Sequence, residues 1–105
     1  MTHEQAKAVA AVLKALSHPS RLLAVEALAV GVKRSVDLAT LANVGQSTMS
    51  RHMSMLVRAG IVQEQREGQR VVYGLGKASI LKCLECATCV LKADALRMTK
   101  ALRGV

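Results

Sequence analysis

The chain has 105 residues, the length of one domain or one subunit of a small oligomer. Apolar residues make up 51%, yet Tyr73 is the only aromatic; such a core is thin, suits helices better than a sandwich or barrel, and would gain from a second subunit. The formal net charge of +8, from 15 Lys plus Arg against 7 Asp plus Glu, favours a polyanion such as nucleic acid or an acidic membrane surface as partner.

The opening "MTHEQAKAVAAVLKAL" lacks the charged, apolar and cleavable parts of a signal peptide. No apolar run approaches the ~20 residues that span a bilayer. A cytoplasmic protein with no membrane partner is expected, and there thiols stay reduced. Val9, Val12, Leu13 and Leu16 recur at helical spacing over residues 4–16. "SHPSRL" breaks that pattern: Pro19 suits the first turn of a second helix, capped by Ser17 or His18 and running to about Val30 before Gly31. Ser35 can cap a short third helix, "VDLATLA", ending near Asn43, and a fourth follows from Gln46 to Ala59, closed by Gly60. The period then changes to two β-prone runs, "IVQEQR" and "RVVYGL", flanking "EGQ" with Gly68 at the turn position that needs positive φ. From Lys77 to Leu102 a helical stripe returns through Ile80, Leu84, Ala87, Leu91, Ala95, Met98 and Leu102.

The third and fourth helices, joined by the tight "NVG", have helix-turn-helix spacing. In the fourth, Met49, Met53, Leu56 and Val57 should face the core, leaving Gln46, Ser47, Ser50, Arg51, Ser54 and Arg58 outside. Short hydroxyl and amide side chains near a helix N-terminus suit base edges in the major groove, and arginines reach phosphate or guanine. Arg66, Gln69 and Arg70 flank the hairpin tip, where a wing lies along the neighbouring groove or backbone. Met49, Met53 and Met55 are expected to fill a core without large aromatics, and His52 to be a packed, hydrogen-bonded residue at its boundary.

"LKALSHPSRLLAVEAL" followed by "VDLATLANVGQSTMSRHMSMLVRAGIVQEQREGQRVVYGL" resembles the ArsR/SmtB family of winged helix-turn-helix repressors, over about residues 10–76. The resemblance implies a mainly α fold with a β-hairpin wing. One domain, 1–105, would hold the helix-turn-helix at about 35–59, the wing at about 61–75 and a dimerisation and sensor helix at about 77–104. It further implies a homodimer joined through the first and last helices, a palindromic operator, and an inducing ion or oxidant that loosens the DNA. On its recognition helix Gln46, Ser47, Thr48, Ser50 and Arg51 would read DNA, with Arg58, Gln69 and Arg70 as further contacts. Gly45 departs from the serine cap of many relatives and loses a side-chain acceptor.

The two best-known sensor sites of that family are absent. The helix before the recognition helix has no Cys-Val-Cys, and the last helix has Asp94 but no histidine. The chain's three cysteines instead fall together in "LKCLECATCVLK", as Cys83, Cys86 and Cys89. Cys86 and Cys89 lie opposite the apolar stripe and Cys83 at its flank, so packing accounts for at most one of them. Three thiolates match a trivalent thiophilic centre, As(III) or Sb(III), which needs no fourth ligand; Zn or Cd sites ask for one more. A redox or persulfide sensor needs only a pair. One ion spanning Cys83 to Cys89 requires the helix to unwind locally or to start after Cys89. An enzyme, such as a thiol oxidoreductase, is disfavoured because no βαβ pattern or carboxylate–histidine pair accompanies the cysteines.

Overall fold

The structure, a computed structural model, describes residues 1–103, and the side chains of all of these except residue 96 and residues 98–103. In chain order the elements are α1 (His3–Leu16), α2 (Pro19–Leu28), β1 (Lys33–Arg34), α3 (Ser35–Ala42), α4 (Gln46–Arg58), β2 (Val62–Glu67), β3 (Arg70–Leu75) and α5 (Ile80–Arg103). This is a winged helix-turn-helix, with the hairpin enlarged to a three-stranded antiparallel sheet in the order β1-β3-β2. No single helix among the described residues is long and apolar enough to cross a membrane.

Local chemistry sets most boundaries. A capping box of Thr2 and Gln5 opens α1. His18 caps α2, its Nδ1 accepting the Ser20 N–H at 3.1 Å, with Pro19 in the first turn. The expected Ser35 cap is not made: Ser35 is already helical and Arg34 precedes it without a side-chain cap bond, because residues 33–34 are drawn into β1. Asn43 ends α3 in the left-handed conformation at φ 56°, and the Val44 N–H returns to the Ala39 carbonyl at 3.0 Å. That closes the tight turn into α4. Glu67 pairs with Arg70 across the wing tip, and Gly68 at φ 68° supplies the positive φ the two-residue turn requires.

Val25, Leu38, Met49, Met53, Leu56 and Val62 are the largest fully buried side chains, closed on one side by Tyr73. Truncating Leu56 to Ala would cost about 2–5 kcal/mol. Met55 is a correction: it is 42% exposed and fills no part of the core. The stripes of the first and last helices are also only partly used. In α1, Ala15 and Leu16 are buried and Val12 packs on the core, whereas Val9 and Leu13 remain exposed. In α5, Ile80 and Leu84 pack on the core, and Leu91 is 69% exposed. The outer end of that stripe, Met98 and Leu102, lies outside the residues whose side chains are described, as does Gly104 at the end of the expected sensor helix. The radius of gyration is 16.5 Å, against ~13 Å for a compact chain of this length.

Candidate nucleic-acid interface and thiol cluster

Gln46, Ser47, Thr48, Ser50, Arg51, Ser54 and Arg58 are all exposed on α4, opposite the buried Met49, Met53 and Leu56. The 3.6-residue period of one helix divides an exposed polar face from the core. Gly45 is the N-cap and makes no side-chain cap bond, so the first N–H groups of α4 keep their donors for an outside acceptor. Arg66, Gln69 and Arg70 are exposed at the tip of the wing. Thr48, Ser50, Arg51 and Arg58 share one concave site of about 600 Å³ beside α4, whereas the wing residues stand apart from it.

Sequence reasoning did not single out the residue that closes this site, Arg21. Its Nε donates to His52 Nδ1 at 3.1 Å and its Nη1 to the Ala15 carbonyl at 3.1 Å. His52 is buried, as expected, and its ring lies 4.3 Å from that of His18. These contacts tie the end of α1 and the start of α2 to the recognition helix. A signal for Arg21 was present: a cation in a helix's first turn opposes the helix dipole, a local conflict that asks for a compensating partner.

Because His52 Nδ1 accepts the bond, the ring is the neutral tautomer with its proton on Nε2. Burial pushes its pKa below the ordinary 6.5, and the charges of His18 and Arg21 push it the same way. The unfolded chain thus takes a proton here at a higher pH than the folded chain does. The stability tied to His52 is fully present above 6.5 and is lost as pH falls through the folded value. Urea midpoints should therefore drop between about pH 7.5 and pH 5.5. His52→Gln should shrink that drop while lowering the midpoint at neutral pH.

The three cysteines are free and exposed on α5. The helix runs unbroken from Ile80 through all of them, which settles the question of its continuity. Neighbours in the trio are one turn apart, but in a straight helix the Cβ atoms of Cys83 and Cys89 stand about 10 Å from each other. Cys83 faces a groove with Val12, Gly60 and Ile61, and Cys89 faces another with Glu26 and Lys92. In this conformation no group of three His, Cys, Asp or Glu among the described residues is set to hold a metal ion. At the start of α5, Ile80, Leu81 and Lys82 donate to Lys77, Ala78 and Ser79, tightened bonds of the i to i−3 kind. Just before it, Gly76 donates to the Ile61 carbonyl at 2.8 Å, and a Cβ there would meet the Gly60 carbonyl oxygen at 2.6 Å.

Comparison with known proteins agrees with this arrangement. Residues 18–64, from the start of α2 into β2, match the bacterial regulatory protein arsR family. The biofilm growth-associated repressor of Agrobacterium fabrum is 33% identical over 82 residues, 78% of this chain and 70% of that protein. The solution structure of a homodimeric winged helix-turn-helix DNA-binding domain from Mycobacterium bovis superposes with a TM-score of 0.76 at 26% identity, covering 90% of this chain and 91% of that one. The crystal structure of an antimony-specific transcriptional repressor gives 0.77 at 25% identity, covering 90% and 86%. With the helix-turn-helix, the wing and the matched residues coinciding, the chain belongs to the arsR family of bacterial regulatory proteins, which are DNA-binding transcriptional regulators and not enzymes.

Proposed function

We propose that two copies of the chain form a repressor that holds a palindromic operator and releases it when a thiophilic inducer, As(III) or Sb(III), binds Cys83, Cys86 and Cys89. One observation carries the reading: three exposed thiols occupy successive turns of the helix that follows the wing directly. Gln46, Ser47, Thr48, Ser50 and Arg51 act as the base-reading set, and Arg58, Gln69 and Arg70 as backbone contacts. Support for the dimer comes from the uncovered apolar side chains of α1 and α5, from the extended shape of the single chain, and from the homodimeric Mycobacterium bovis domain. The antimony-specific repressor of like fold supports a metalloid inducer.

Within one subunit, three sulfurs reach one trivalent ion if the first turns of α5 unwind and free Cys83. The tightened bonds at Ile80 to Lys82 make that the least costly place to do so. Inducer binding then draws on helix energy at the segment pinned to the α4–β2 turn. A second reading, release by oxidants or persulfides, is favoured by the unbroken helix, which sets Cys83 beside Cys86 and Cys86 beside Cys89 as ready pairs. The test is a titration of arsenite, antimonite, zinc and persulfide against the protein–operator complex, with sedimentation of the free protein alongside. Release by the metalloids at stoichiometric levels, with loss of helical circular dichroism, is expected. Release by persulfide alone transfers the function to the second reading, and a monomer that still holds a palindrome tightly removes the dimer.

At the wing, Arg70→Ala should weaken binding to operator and unrelated DNA alike. It should flatten the dependence of log K on log salt by about one unit, as for one lost phosphate contact. Unchanged slope and affinity would mean that the hairpin does not touch DNA.

A further inference from the structure

Arg21 is a cation held in place by two neutral acceptors, His52 Nδ1 and the Ala15 carbonyl, so its charge is fixed without being neutralised. Among the described residues no protein group accepts from its Nη2. Arg51 and Arg58 line the same concave site of about 600 Å³, together with Thr48, Ser50 and Ser54. A second concavity of about 540 Å³ shares Arg21 and Arg58 and adds Lys14 and His18. Neither site is lined by a carboxylate. Guanidinium groups that share a concavity repel one another less when an anion lies among them, and guanidinium and hydroxyl donors together suit phosphate oxygens.

The position of this basic track indicates which anion it takes. A helix with its side chains is about 10–12 Å across and the major groove about 12 Å wide, so a helix seated there has a phosphate strand along each flank. Arg51, Arg58 and Ser54 lie on the exposed side of α4, and the track leads from them around its flank to the start of α2 and the end of α1. We propose that this track binds the phosphodiester backbone of one operator strand at the edge of the groove, with Arg21 as a phosphate-binding residue preset by His52 and with Arg58 beside it. The proposal rests on α4 entering the major groove. Its new content is that the DNA footprint extends past the helix-turn-helix and wing to α2, through a residue whose orientation the recognition helix itself fixes.

The experiment measures operator and unrelated duplex binding against salt for the full chain, Arg21→Gln, Arg21→Lys and Arg58→Gln. Arg21→Gln and Arg58→Gln should each flatten the slope by roughly 0.9, the value for one phosphate. Each should lose affinity by the same factor on both duplexes. Arg21→Lys should keep the slope, since the charge remains, while losing affinity because the fixed fork is gone. Should Arg21→Gln lower only the thermal midpoint and leave the slope intact, Arg21 is a structural tie and the proposal fails. Thermal protection of the DNA-free protein by millimolar inorganic phosphate, lost in Arg21→Gln with an unchanged DNA slope, would make this a small-anion site and also overturn it. Arg51→Ala in the same series separates the layers: if it leaves operator binding intact, the seating of α4 is wrong, whereas an intact Arg51 effect with unchanged Arg21 and Arg58 slopes removes the track alone.

Discussion

Changing Cys83, Cys86 or Cys89 singly to serine is expected to abolish operator release by arsenite or antimonite while leaving operator affinity within about 0.5 kcal/mol of the parent. The first half follows from coordination. A trivalent centre bound by three thiolates loses a ligand that a hydroxyl does not replace, because a neutral oxygen is a poor donor to a soft ion. The second half follows from placement: all three side chains are exposed on α5, and none lies on the exposed polar face of α4 or at the wing tip. Since the thiols must ionise to bind, metalloid affinity should also rise with pH over the range in which they lose protons. The pattern across the variants decides between inducers. If Cys83→Ser still responds and the other two do not, Cys86 and Cys89 act as a pair within the intact helix and no unwinding takes place. If all three variants release DNA with arsenite as the parent does, the cluster is not the metalloid sensor.

The recognition helix was legible in the sequence because one surface divides one helix. Met49, Met53 and Leu56 fall inside by period alone, and His52 at the boundary is buried with a hydrogen-bond partner. The wing was legible because Gly68 marks a turn that few residues can make. Elements that depend on distant partners were not. Strand β1 is two residues long, and nothing local announces it; it exists because Lys33 and Arg34 pair with Tyr73 and Val72. Periodicity reports which side chains favour burial but not what buries them. Val9, Leu13 and Leu91 carry the expected spacing and remain uncovered within one chain. Residue type favours the core for Met55, whereas its place in α4 sets it beside Arg21 and Arg58. For the thiols, spacing revealed the cluster, but three sulfurs on one helix remain spread along it until the backbone changes.

Arg51→Ala is expected to reduce affinity for the cognate operator by ~1–3 kcal/mol, a factor of roughly 5 to 150, with the fold intact. Arg51 lies in the N-terminal half of α4 on the side away from Met49 and Met53, and is exposed in the free protein. Its removal therefore opens no cavity, and the thermal midpoint should move little. What it removes is a planar fork that can take two acceptors on one base edge, the arrangement by which arginine selects guanine. Such a contact is sequence-dependent, so the loss on an unrelated duplex should be much smaller and one operator position should become tolerant of substitution. Arg58, at the C-terminal end of α4, gives the contrast, since loss of the proposed phosphate contact there would weaken binding to all sequences alike. An equal loss for Arg51→Ala on every duplex, with a flattened salt slope, would place Arg51 on phosphate and leave base reading to Gln46, Ser47 and Ser50.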